Sequence, residues 1–188
     1  MLGMNDVRKG VAIVLEGEPY LTMSAEFLRK QQRRPVVRAT LKHLGTGRVK
    51  EHTFMQSDKI MEANIERKPN QFLYADGNKY TFMDQGTYEQ AELGQEVVGE
   101  MTRFLLEGQE ATLLLFDGAP VAVELPIKID RKVITAPPGV KGDTSTNVMK
   151  EIEVEGGVKV KAPLFIKEGD TIRIDTRSGQ YLERATGH

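Results

Sequence analysis

Short stretches in which apolar and polar residues alternate recur along the whole chain. Residues 11–23 combine an apolar run, a turn at residues 16–19 and a second strand, and Val37, Ala39 and Leu41 alternate with polar neighbours before a turn at residues 45–47. Alternation with a period of two is typical of half-buried β-strands. The pattern therefore predicts two β-hairpins in the first third of the chain.

The same pattern continues towards the C-terminus. Further hairpins are predicted around Asp76-Gly77 and Asp117-Gly118, and two more strands flank residues 168–170. Only residues 89–107 favour a helix, which Gly94 and Gly99 would break or shorten. Connecting segments are expected near residues 63–69 and 125–130. Many short strands without βαβ alternation predict an all-β fold of small barrels or sandwiches, divided into residues 1–64, 65–128 and 129–188.

Composition narrows the class of protein. A chain of 188 residues has room for two or three compact modules. The absence of cysteine excludes disulfides, thiol nucleophiles and thiolate metal sites, which fits a cytoplasmic location. We expect neither a membrane span nor export, because the sequence has no long apolar run and its N-terminus has no apolar signal core.

Charge is distributed unevenly although the net charge is only -1. Residues 1–64 contain 11 Lys and Arg against 7 Asp and Glu, residues 65–128 contain 5 against 11, and residues 129–188 contain 10 against 9. A basic end on an acidic body predicts an oriented contact with a polyanion.

Catalytic motifs are missing from the sequence. The three histidines, His43, His52 and His188, have no metal-ligand spacing, and no G-x-S-x-G motif occurs. The stretch "GVKGDTSTN" at residues 139–147 is neither a P-loop nor a dinucleotide fingerprint. The acidic residues of the middle third are explained by a solvated face better than by a catalytic carboxylate pair. The sequence therefore predicts a binding protein without cofactor or metal.

A dense polar segment separates two predicted strands of the basic first third. It consists of Arg29, Lys30, Gln31, Gln32, Arg33 and Arg34. A solvated loop is one interpretation of such a run. Its place at a hairpin turn favours another, in which the cations reach phosphates and the glutamines bond to bases or ribose.

Several stretches resemble bacterial translation elongation factor P. They are "RKGVAIVLEGEPYLTMSAEF", "LKHLGTGRVKEHTF", "YADGNKYTFMDQGTYEQ", "PGVKGDT", "PLFIKEGD" and "IRIDTRSGQYLER". The resemblance covers essentially the whole chain. It implies three small β-barrel domains, an SH3-like domain of KOW type followed by two OB-like domains, in an L-shaped arrangement similar to a tRNA.

The resemblance also implies a function and a set of contacts. A factor of this family binds the ribosome between the P and E sites, beside the peptidyl-tRNA, and relieves stalling at consecutive prolines; we expect a monomer that is not an enzyme. Gly142, Asp143 and Thr144 match a loop that approaches the E-site codon, and Arg177, Tyr181 and Arg184 match the C-terminal signature. For these last residues two interpretations stay open. Either they contact RNA, or Tyr181 packs in a barrel while Asp175 and Arg177 stabilise a turn.

The segment at residues 29–34 departs from the family pattern. The usual tip, Pro-Gly-Lys-Gly, presents a lysine that is often modified, and its place falls on Gln32, with Lys30 two positions early and Arg33 one position late. We therefore expect no modification at this tip. Arg33, Arg34 and the glutamine pair would take the part of the modified lysine and contact the tRNA acceptor end.

Two other functions remain possible from the sequence. The altered tip is compatible with a specialised paralogue that acts at the same ribosomal site on different stalls. A free-standing OB-fold RNA-binding protein is the other, and it would need aromatic side chains as stacking platforms. Aromatic residues make up only 6% of the chain and tryptophan is absent, which counts against the free-standing RNA binder.

Overall fold

The described residues form three antiparallel sheets of five strands each. A computed structural model describes residues 1–29, 34–138 and 148–185. Each sheet uses strands that are consecutive in the chain, and we refer to the regions of β1–β5, β6–β10 and β11–β15 as the first, second and third domains. The all-β class predicted from the alternating pattern is confirmed.

The first sheet has the strand order β4-β3-β2-β1-β5 and follows a 3-10 helix at Met4–Asp6. Its strands are β1 (Ala12–Leu15), β2 (Glu18–Leu28), β3 (Val36–His43), β4 (Val49–Met55) and β5 (Met61–Glu62). The alternating residues of β3, namely Val37, Ala39 and Leu41, are all buried, and Phe54 of β4 packs into the same core. The two hairpins predicted for this region are confirmed.

The second sheet has the order β10-β9-β6-β7-β8. Its strands are β6 (Ile65–Asp76), β7 (Lys79–Asp84), β8 (Gln90–Gly94), β9 (Glu110–Phe116) and β10 (Ala119–Glu124). Asp117 and Gly118 join β9 to β10 with φ of 49° and 81°, the left-handed backbone of a two-residue hairpin turn. Both hairpins predicted from Asp-Gly pairs are confirmed.

The helix predicted over residues 89–107 is only partly present. Residues 90–94 form strand β8, which pairs with β7, and helical structure is confined to α1 (Gln95–Val98) and a 3-10 helix at Gly99–Phe104. Gly99 has a φ of 58°, which ends α1 after one turn. The prediction failed at residues 90–94 because the ladder with β7 outweighs the local helical tendency of this Glu- and Ala-containing segment.

The third sheet has the order β13-β12-β11-β14-β15, which is the topology of the second sheet. Its strands are β11 (Lys128–Thr135), β12 (Met149–Val154), β13 (Val158–Pro163), β14 (Thr171–Asp175) and β15 (Gln180–Arg184). The predicted strands on either side of residues 168–170 are β13 and β14. They do not pair with each other, because β14 lies between β11 and β15.

The predicted connecting segments are shorter than the sequence suggested. Residues 65–69 already belong to β6 and pair with β9, and residues 128–130 belong to β11 and pair with β14. The first predicted linker is therefore wrong over most of its length, and the second over half of it. The reason is that the polar, Pro-containing start of β6 satisfies its backbone groups in a ladder that local composition does not reveal.

The second and third domains share one hydrophobic core. Buried residues of both sheets and of the 3-10 helix form a single cluster, among them Phe82, Phe104, Ile129, Val133 and Ile174. The first domain has a separate core around Ile13 and Leu41. The second and third domains are thus joined by apolar packing as well as by the chain.

Candidate nucleic-acid interface

The basic segment lies at the free end of the longest hairpin of the first sheet. Strands β2 and β3 pair as far as Leu28 and Val36, so residues 29–35 connect them. Arg29 and Arg34 are both exposed. Residues Lys30, Gln31, Gln32 and Arg33, which carry the rest of the predicted tip, lie outside the described residues. The hairpin thus presents at least two arginines at the end of a regular β-ladder.

Packing supports this end of the hairpin. Phe27 is paired across the ladder with Val37, which is in turn paired with Phe54. Val37 and Phe54 are buried, whereas Phe27 is 54% exposed and Met55 on the neighbouring strand is 57% exposed. The base of the tip is therefore fixed to the core, while apolar surface remains uncovered beside the arginines.

Acidic partners are concentrated at the opposite end of the first sheet. Glu16 accepts a hydrogen bond of 3.1 Å from Lys50, and this bond raises the pKa of the lysine. Glu18 lies 3.5 Å from the imidazole of His43. Within the described residues, no carboxylate comes within 4.0 Å of the guanidinium of Arg34 at the tip. Both ion pairs in the described part of this domain thus lie at the end of the sheet opposite the hairpin tip.

The C-terminal signature forms the turn between β14 and β15. The Asp175 carboxylate accepts hydrogen bonds from Arg177 Nη2 at 2.7 Å, Arg177 Nε at 3.2 Å and the Arg177 backbone N–H at 2.8 Å. The Arg177 side chain is the main cause that lowers the pKa of Asp175 to about 2. The interpretation of these two residues as turn chemistry is confirmed. These hydrogen bonds leave two-thirds of the Arg177 side chain exposed, where its remaining N–H groups can donate to another partner.

The other residues of the third-domain set have different surroundings. Tyr181 is half-buried and packs against the shared core, as the packing interpretation predicts. Arg184 donates a hydrogen bond of 2.8 Å to Asp170 and is otherwise exposed. Gly142, Asp143 and Thr144 lie outside the described residues. The described tip residues, Arg29 and Arg34, flank strands of the first sheet, whereas Arg177, Tyr181 and Arg184 belong to the region of the third sheet.

Other kinds of site find no support in the described part of the chain. No group of three or more His, Asp or Glu residues there could hold a metal ion. Over the same residues, no helix is long and apolar enough to span a membrane.

Comparison with known proteins identifies the family. The KOW-like domain of elongation factor P matches residues 3–60, its OB domain matches residues 65–123, and its C-terminal domain matches residues 129–184. Elongation factor P of Alkaliphilus oremlandii is 41% identical over 184 residues, which cover 98% of this chain and all of that protein. Elongation factor P of Clostridium novyi is also 41% identical over 98% of this chain and the whole of its own length. The chain belongs to the elongation factor P family. It is therefore a translation elongation factor.

Solved structures of a second family share the fold. Translation initiation factor 5A from Methanococcus jannaschii is 20% identical, with a TM-score of 0.52, and the match covers 65% of this chain and 92% of that protein. A protein of the same family from Naegleria fowleri is 14% identical, with a TM-score of 0.50, and covers 66% of this chain. At these identities the likeness concerns the fold alone.

Two buried polar residues of this elongation factor P family member were missed from the sequence. Arg131 occupies a core-facing position of β11, between Ile129 and Val133, and Thr176 lies inside the β14–β15 turn. The signal for Arg131 was present, because an arginine in register with two buried apolar residues on an alternating strand must have buried partners. Two of its three hydrogen-bond partners, however, lie in the second domain and have no sequence signature.

Proposed function

We propose that this translation elongation factor binds the ribosome between the P and E sites and positions the acceptor end of the peptidyl-tRNA with its basic tip, residues 29–34. Peptide bond formation at consecutive prolines is the step that benefits. The observation that carries the proposal is the β2–β3 hairpin, whose exposed arginines lie beside a packed base, at the end of the sheet opposite its two described ion pairs.

Positioning explains how a binding protein accelerates a reaction. Proline is a cyclic secondary amine with a fixed φ, so a poorly placed pair of substrates reacts slowly. A factor that holds the acceptor end in place lowers the entropic barrier without taking part in covalent chemistry. Arginine suits this task, because its planar guanidinium donates two parallel hydrogen bonds to a phosphate.

The third domain supplies the second group of proposed contacts. Gly142, Asp143 and Thr144 would face the E-site codon, and Arg177 and Arg184 would donate to nearby RNA phosphates. Arg177 suits this role because Asp175 occupies Nε and one N–H of Nη2, which leaves Nη1 free to donate. Tyr181 would hold this turn against the core.

The tip is proposed to act without modification. Gln32 replaces the usual lysine, and the flanking glycines are absent. Arg33 and Arg34 then provide the positive charge that a modified lysine provides in relatives. A specialised paralogue with a different stall spectrum is the second candidate, and the same altered tip favours it. Ribosome profiling with and without the protein distinguishes the two by the codons at which ribosomes accumulate.

The test replaces Arg33 and Arg34 together by alanine. Rescue of a peptide with three consecutive prolines in a reconstituted translation system should be lost, since about 1 Å of misplacement can cost on the order of a hundredfold in rate. Ribosome binding, measured by co-sedimentation over a salt series, should weaken only modestly, with a salt slope lower by about 1.4 units for two lost single-strand phosphate contacts.

The matched control replaces Lys42 and Arg48, which are exposed at the opposite end of the same sheet. It removes the same charge from the same domain and should leave rescue at the wild-type level. Wild-type rescue by the tip variant would mean that the basic segment is only a solvated loop. Parallel loss of binding and rescue would make it an anchor and not a positioning element.

A further inference from the structure

A buried arginine lies where the second and third domains meet. Arg131 is only 6% exposed, and its neighbours at alternate positions of β11, Ile129 and Val133, belong to the shared core. In the ladder Arg131 is paired with Ile172 of β14, which is completely buried. The guanidinium therefore extends from the middle of the third sheet to the boundary with the second domain, beside an open pocket that Gln109 and Arg131 help to line.

Two of its three hydrogen-bond partners belong to the second domain. Arg131 Nη2 donates to the carbonyl of Phe104 at 2.7 Å and to Oε1 of Gln109 at 2.8 Å, while Nη1 donates to the carbonyl of Asp130 at 2.9 Å. Gln109 is itself anchored, because its N–H donates to Leu106 and its carbonyl accepts a hydrogen bond from Phe72. One planar group thus binds two fixed points of the neighbouring domain.

This arrangement is costly for stability alone. Burial lowers the pKa of the Arg131 guanidinium, which shows that the charged form is disfavoured there. Its Nε has no hydrogen-bond partner among the described residues. Well-packed apolar residues often stabilise a protein as much as a buried ion or more, but apolar contacts have no direction. A guanidinium that binds two acceptors does fix a direction, because its donors lie in one rigid plane.

We infer that Arg131 is a positioning residue that fixes the orientation of the third domain on the second. Two other features bring the third domain close to its neighbours. The hydroxyl of Thr176 donates at 2.8 Å to the carbonyl of Pro126, in the segment between β10 and β11, and Gly156 passes so close to Leu106 that an added Cβ would lie 3.2 Å from that side chain. Arg131 differs from both because it joins β11 at once to Phe104, the last residue of the 3-10 helix, and to Gln109, the residue before β9. Its loss should free the orientation while the shared core persists.

The absence of cysteine makes the orientation directly measurable. Spin labels on Glu89→Cys in the second domain and Lys161→Cys in the third report the distance between those domains by pulsed electron paramagnetic resonance. Labels on Glu51→Cys and Glu89→Cys report the first and second domains as an internal control. All three positions are exposed.

The main variant is Arg131→Met, and its matched control is Lys132→Met, the next residue of the same strand, which is exposed. We expect Arg131→Met to broaden or shift the distribution between the second and third domains and to leave that between the first and second unchanged. Lys132→Met should change neither. Arg131→Lys should also broaden the distribution, because an ammonium keeps the charge but lacks the planar pair of donors.

Opposite outcomes overturn the inference. An unchanged distribution in Arg131→Met, with only a lower melting temperature, would make the residue a stabilising one without a positioning role. A change in both label pairs would indicate general loosening. If Arg131→Met does not fold, Gln109→Ala decides by the same two distributions, since it removes one acceptor and keeps the bond to Phe104.

The expected effect of Arg131→Met on translation rests on the proposed function, whereas the measured distances between labels do not. If tip and third-domain contacts must be made simultaneously, Arg131→Met should reduce proline-stall rescue roughly tenfold or more at saturating factor, by the positioning argument. Changed distances with wild-type rescue would keep the orientation role and contradict the need for two simultaneous contacts. Unchanged distances would overturn the inference itself and leave the proposed function intact.

Discussion

Two buried threonines test whether a hydrogen bond or burial alone holds the β14–β15 turn to residues 125–127, the segment between β10 and β11. Thr176 is 2% exposed, and its hydroxyl donates to the Pro126 carbonyl at 2.8 Å. Thr22 is 1% exposed, and its hydroxyl has no partner among the described residues. Replacing each by valine removes the same hydroxyl and keeps the shape, so the two variants differ only in the bond that is lost.

The expected effects have opposite signs. Thr176→Val removes a hydrogen bond and leaves the Pro126 carbonyl without that donor, so the free energy of unfolding of the third domain should fall by about 1–2 kcal/mol. Thr22→Val removes a hydroxyl that is buried without a hydrogen-bond partner among the described residues, so the free energy of unfolding of the first domain should rise by about 1 kcal/mol. For domains of this size, 1 kcal/mol corresponds to a shift of about 4–8 °C in melting temperature.

The chain has no tryptophan, so amide hydrogen exchange is the suitable measurement. Mass spectrometry of peptides from β2 and β14 over a denaturant series gives a separate free energy of unfolding for each region. The backbone hydrogen bonds of both threonines, to Val11 and Ile127, are unaffected by the substitutions. Equal destabilisation by both variants, or none by Thr176→Val, would refute the reasoning.

Three further predictions concern the third domain and the tip. The lowered pKa of Asp175 stabilises the native turn above about pH 4, and this contribution is lost as the pH falls towards 2. Carbon-13 NMR of the Asp175 carboxyl over a pH series should give the lowered pKa. The variant Arg177→Gln should move that pKa back towards its ordinary value. Gly156→Ala should lower the melting temperature more than Gly157→Ala, because both have positive φ but only the first meets a side chain within 4 Å; equal losses would exclude the contact with the second domain. In protein purified from its native host, proteolytic peptides that contain residues 29–34 should have the mass of their sequence, and a stable added mass on the tip would contradict the proposal of an unmodified tip.

Local sequence determined the strands and most of their turns. The alternation of Val37, Ala39 and Leu41 is a period of two that one strand contains completely, and Asp117-Gly118 specifies a two-residue hairpin without reference to distant residues. The family was also readable from the sequence, because the stretch at residues 172–184 is long and specific. What these features share is that every residue needed to recognise them lies within about twenty positions of the others.

Only the tertiary structure decided which strands are neighbours and where polar groups are buried. The pairing of β14 with β11 instead of β13 depends on a ladder between segments far apart in the chain. The strand at residues 90–94 depends on its ladder with the preceding strand β7, which the pattern of its own residues does not reveal. The environment of Arg131 is decided in the same way, since the two acceptors it binds in the second domain lie 22 and 27 residues away and have no pattern of their own. Such contacts form only when the shared core closes. The local alternation of residues indicates which face of a strand is buried, whereas the tertiary fold decides which side chains and strands pack against that face.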